Sequence, residues 1–191
     1  MNGLVKFAIA SIGGIAIGLI SAQKIIGGYE GLFNKTQGPW VSWPTAGTRS
    51  SNPYVRAHFL TANRLPISQF EVNELEARND SNGKTLDSDC TYEIAGPAQK
   101  TRWWSLYTYS SDGSASTQNI QPAGIGSHNI LAKPDGSFVV KLSQQPQTGN
   151  WITPTKGDDL VLVLRHYNPA QSITNQFNFK GLPMIIRKDC Q

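Results

Sequence analysis

His58, His128 and His166 are the imidazoles of this chain, and dozens of residues separate each from the next. Local metal motifs place their ligands a few residues apart, and no such spacing occurs here. A surface or hydrogen-bonded role is the expectation for each histidine. No Gly-x-Ser-x-Gly elbow exists, and Ser127 beside His128 is not a nucleophile–base arrangement. Asp158 and Asp159 form an adjacent carboxylate pair, but neighbours on a strand point to opposite faces, so they read as a turn and strand opening. Gly124-Ile125-Gly126 is too short to cradle a phosphate, and no helix pattern follows it. These residues predict no catalytic set, no metal and no cofactor.

One constellation has the chemistry of a ligand site. Arg165 falls on the same strand face as Val161, Val163 and Tyr167. A guanidinium at the end of an apolar strand is costly unless paired, and it suits carboxylate or phosphate recognition. Trp103, Trp104, Tyr107 and Tyr109 offer aromatic walls of the kind that stack on sugar rings. The candidate ligand-binding set is therefore Arg165, Tyr167, Trp104 and Tyr107. Against it stands a structural role, favoured here: Arg165 pairs with an internal acid, and the aromatics fill a core.

The strand that carries Arg165 is the centre of the chain. Leu160 to Leu164 is an unbroken apolar run, so it should be covered on both faces. Gly157 and the Asp pair precede it and Pro169 ends it. Other strands are expected over Phe70–Ala77, Thr91–Ala95, Arg102–Ser110, Phe138–Ser143 and Met184–Arg187. On the Arg102–Ser110 strand, Trp103, Ser105, Tyr107 and Tyr109 share one face, and Trp104, Leu106 and Thr108 the other. Asp112-Gly113 and Pro134-Asp135-Gly136 are turn signals. Asn52 as N-cap and Pro53 at the first helical position predict a short helix through about Ala62. Only 16% of the 191 residues are charged, while glycine and proline are common. Short strands with turn signals between them predict an antiparallel β-sandwich of jelly-roll type.

Residues 1–26 form a separate unit. Phe7 to Ala22 carries no charge, and the apolar run extends to Ile26 if Gln23 and Lys24 snorkel. With Ile20 a poor small-residue position for cleavage after Ala22, an uncleaved transmembrane signal anchor is expected over a cleaved signal peptide. Ala10, Gly14, Gly18 and Ala22 recur every fourth residue, placing them on one helix face, a pattern that lets two membrane helices approach closely. The face offers packing against a partner protein or, as a homo-oligomer, against a second copy of the helix; the alternative is that glycine is simply common in membrane helices. Residues 27–39 read as a connector, and the sandwich domain as residues 40–191. Setting aside Lys6 and Lys24, the net charge is only +2, with no basic run, so nucleic-acid binding is not expected.

Trp104-Ser105-Leu106-Tyr107, Pro134-Asp135-Gly136-Ser137, Asn150-Trp151 and Leu164-Arg165-His166-Tyr167-Asn168-Pro169, in that order, resemble the signature of the bacterial domain-of-unknown-function family 1214. The resemblance covers about Trp40 to Cys190 and is to the short, membrane-anchored, stand-alone form. It implies a jelly-roll sandwich and association with a partner of the domain-of-unknown-function 1254 type. It implies no established activity.

Cys90 and Cys190 are the two cysteines, and they bracket the C-terminal half of the domain. Behind an export-type helix, a disulfide between them would tie down an end prone to fray. Closing a loop of about 100 residues is worth up to about 4–5 kcal/mol in the chain-entropy picture. The pair predicts a cytoplasmic N-terminus, a single pass through the bacterial inner membrane and a periplasmic domain. Two function classes follow. The first is a non-enzymatic envelope assembly or binding module; the second is a hydrolase or carbohydrate-binding module with a cleft around Arg165.

Overall fold

The computed structural model of the chain describes residues 2–26, 33–110, 113, 122–155, 160–169 and 181–190. Gly27, Gly28, Gly31, Asp112, Gly157, Asp158 and Asp159 lie outside them. In chain order the elements are α1 (Gly3–Ile26), β1 (Lys35–Gln37), β2 (Trp40–Ser42), α2 (Pro53–Thr61), β3 (Val72–Ala77) and β4 (Cys90–Gly96). They continue with β5 (Thr101–Ser110), β6 (Gly124–Gly126), β7 (Phe138–Leu142), β8 (Trp151–Ile152), β9 (Leu160–Pro169) and β10 (Met184–Cys190).

These strands make two sheets, ordered β1-β2-β3-β9-β5-β6 and β10-β4-β7-β8, in a sandwich-like arrangement that is mainly β. The uninterrupted apolar run places β9 inside the larger sheet, antiparallel to β3 on one side and β5 on the other. Leu160, Leu162 and Leu164 enter the core between the sheets with Tyr92, Ile94, Val140 and Leu142. Val161 and Val163, on the reverse face, are buried as well. The pairs are antiparallel except β7–β8, which is parallel over Lys141↔Trp151 and Leu142↔Ile152.

α2 closes part of the outer face of the larger sheet. Asn52 Oδ1 accepts the Tyr54 amide at 2.9 Å, and Pro53 follows as the first helical residue, so the helix starts where its cap dictates. Val55 and Phe59 then bury against Val41, Trp43 and Ala46. Each such side chain contributes roughly 1.5–3 kcal/mol of burial.

Pairing begins earlier than residue 40: Lys35–Gln37, within the stretch read as a connector, forms β1 against β2. The disulfide joins Cys90 to Cys190, 100 residues apart, where β4 and β10 pair. No residue of α1 is buried, and the helix has the length and apolarity of a membrane anchor or a signal sequence.

Candidate functional site

Register decides the environment of Arg165. On β9 it sits opposite Glu74 of β3 and opposite Ser105 of β5. The carboxylate on one side and the small side chain on the other leave the guanidinium one charged neighbour in its own sheet. Its Nε donates to Glu74 Oε2 at 2.6 Å, and a terminal nitrogen donates to Tyr109 Oη at 2.9 Å. The guanidinium also lies over the Tyr109 ring, 5.4 Å from its centre. Burial alone would push the Arg165 pKa down, but the Glu74 charge and the Tyr109 hydroxyl more than offset it, and the net shift is upward.

Glu74 belongs to a longer chain of charges running under α2. Arg64, just past the helix, donates to Glu74 Oε1 at 2.9 Å and also bonds Glu76 Oε1. His58 Nε2 lies 3.2 Å from the same Glu76 oxygen, and its Nδ1 lies 2.8 Å from the carbonyl oxygen of Ile26. Both partners are acceptors, so the ring nitrogen that carries the proton donates to its partner. The His58 ring stacks on Trp43 at 4.2 Å. Burial favours a raised pKa for Glu76, but the His58 hydrogen bond and the Arg64 charge hold it below the ordinary carboxylate value.

These groups are engaged with one another. The cavity beside Glu74, lined by Trp43, Phe59 and Val72, measures about 10 Å³, room for roughly one water. Among the described residues no three His, Cys, Asp or Glu side chains gather to hold a metal ion.

The four candidate ligand residues do not share a face. Tyr107 and Tyr167 accompany Arg165 on the outer side of the larger sheet, where Trp103 packs on Tyr167 with ring centres 4.5 Å apart. Trp104 points the other way, into the core, and stacks on Phe138 at 4.8 Å. Strand alternation separates it from Tyr107. Trp103 and Tyr107 are each 37% exposed, so the outer aromatics are an open strip rather than a closed cleft. Gly124 of β6 lies against the Tyr107 ring, where an added Cβ would come within 2.3 Å of it.

The remaining histidines stand apart. His166 Nε2 meets Gln99 Oε1 at 3.0 Å, and burial pushes its pKa down to about 4. His128 is exposed beside Trp103. Other motif residues hold turns. Asp135 Oδ1 accepts from both the amide and the hydroxyl of Ser137, which lower its pKa. Asn150 Oδ1 accepts the Leu131 amide, and its Nδ2 donates to the Leu131 and Val139 carbonyls. Trp151 Nε1 donates to the Ser143 carbonyl.

Sequence reasoning missed the part played by Glu74, Glu76, Arg64 and His58. A signal existed: two carboxylates two residues apart fall on one face of a strand and need cations above them.

Two solved structures have similar folds. One is a crystal structure of a protein from Vibrio parahaemolyticus, with a TM-score of 0.58 and 17% identity, covering 75% of this chain and 38% of that one. The other is an uncharacterised protein from Burkholderia cenocepacia, with a TM-score of 0.50 and 21% identity, covering 89% of this chain and 40% of that one. This chain thus spans about two fifths of the length of each. No curated protein matches it. The model of the family described as Protein of unknown function (DUF1214) matches residues 71–171. With more than half its length inside that match, the chain belongs to the DUF1214 family.

Proposed function

We propose that this chain is a non-enzymatic assembly or binding module of the bacterial cell envelope. In this reading α1 holds it in the inner membrane, its sandwich stands in the periplasm, and it works beside a 1254-type partner. The observation that carries the reading is that none of the 24 residues of α1 is buried against the domain. Large apolar side chains exposed along the helix from Leu4 to Ile20 need a lipid environment. The Cys90–Cys190 bond supports an oxidising compartment for the domain. Arg165 has its partners within the fold, which argues against an open catalytic cleft around it. Affinity purification of the intact protein in mild detergent should bring down a 1254-type protein. A chain that purifies alone from the membrane would remove the partner from the reading.

A second reading, a carbohydrate-binding module, is favoured by the open strip of Trp103, Tyr107 and Tyr167. Ring faces of this kind stack on sugars. Retention on a glycan column that Trp103→Ala abolishes, with the fold intact, would support it over assembly alone.

A further inference from the structure

α2 is fixed at the end of the apolar helix, because His58 is bonded to the carbonyl of Ile26, the last residue of α1. At 1.5 Å per residue, both ends of α2 lie within about 8 Å of His58 along its axis. From the last turn of α2 onward, several large apolar side chains are exposed. Leu60 is 78% exposed, Leu65 84% and Phe70 51%, with Ile67 between them. Single exposed apolar residues are ordinary, but a group of them in one short segment marks a contact surface.

The charge of this region points to the occupant. From Phe33 to Phe70 the sequence holds Lys35, Arg49, Arg56 and Arg64 and no Asp or Glu. Arg64 is turned inward to Glu74 and Glu76, while Lys35, Arg49 and Arg56 are exposed. Exposed leucine and phenylalanine beside three exposed basic side chains, with Glu71 the one exposed acid next to this stretch, match the interfacial layer of an anionic bilayer. A membrane already lies at Ile26 if α1 spans one.

We infer that Leu60, Leu65, Ile67 and Phe70 dip into the headgroup layer of the bilayer that α1 crosses. Lys35, Arg49 and Arg56 face its anionic lipids. This rests on the reading of α1 as a membrane anchor. The sandwich then lies against the membrane on its α2 side instead of swinging on a connector. The four-stranded sheet, on the opposite side of the core from α2, is turned toward the compartment.

No cysteine is free among the described residues, so a single introduced thiol can be labelled selectively. The full chain is reconstituted into phosphatidylcholine vesicles containing phosphatidylglycerol. An environment-sensitive fluorophore is placed at Leu60→Cys, Leu65→Cys or, as control, Leu131→Cys. Leu131 is 70% exposed and lies beside β7 in the other sheet. Lipids with a nitroxide headgroup should quench the labels at 60 and 65 about three-fold or more above the label at 131. Equal quenching at all three sites, in chains that float with the vesicles and resist alkaline extraction, overturns the docking and leaves the anchor standing. Chains that do not float overturn the anchor, and the docking with it.

Discussion

Glu74 sits between two guanidiniums, Arg64 at one oxygen and Arg165 at the other. Removing one partner of a buried pair costs about 3–5 kcal/mol, and because Glu74 would keep Arg64, Arg165→Leu should fall at or below the lower end of that range, about 2–3 kcal/mol. Urea denaturation of the variant reads this directly. A fully folded, undiminished variant that loses a demonstrable ligand would move Arg165 from structure to binding. His166 makes a separate prediction. Its folded pKa of about 4 lies under the ordinary 6.5, so the unfolded chain binds a proton between those values that the folded chain does not. Stability should therefore fall as pH drops from about 6.5 to 4, by up to about 3 kcal/mol, with no further loss from this group below that. Glu76, held below its ordinary 4.5, contributes its loss chiefly at lower pH. His166→Gln should flatten the slope between pH 6.5 and 4; an unchanged slope would mean that another group sets it. The need of Arg165 for a partner was legible from its place after an apolar strand. Its partner was not, because Glu74 is 91 residues away and only strand register brings them together.

At the scale of elements, uninterrupted or alternating apolar patterns identified the longer strands, and the cap at Asn52 identified the first residue of α2. The strands β1, β6 and β8 have two or three residues each, too few for a period to show, and pairing with β2, β5 and β7 defines them. Trp104 was grouped with Tyr107 for its chemistry although the alternation along β5 already divided them. α1 carries its own prediction. Gly14 and Gly18 have nothing within 4 Å of an added Cβ, so leucine at both positions fits the isolated chain. If the Ala10, Gly14, Gly18, Ala22 face packs against another helix, that double substitution should weaken association in the membrane and leave the domain's melting unchanged. Equal crosslinking of variant and parent in membranes would make the glycines incidental.

For the whole molecule, the sandwich, the disulfide and the exposed helix are mutually consistent. The Cys90–Cys190 bridge fits an oxidising compartment, and the apolar helix fits a membrane anchor or a signal sequence; the proposed function takes the anchor. The sequence pattern exposed both features, since cysteines and apolar runs are visible without a fold. The contact of the helix with the domain was hidden: His58 reaching Ile26 depends on how α2 lies on the larger sheet. The most direct test is non-reducing peptide mapping of the protein from alkali-washed membranes, with thiols blocked before lysis. The account predicts a Cys90–Cys190 linked peptide together with a retained peptide from the Phe7–Lys24 segment. Two blocked free thiols, or a mature chain lacking that segment and recovered in the soluble fraction, would contradict it.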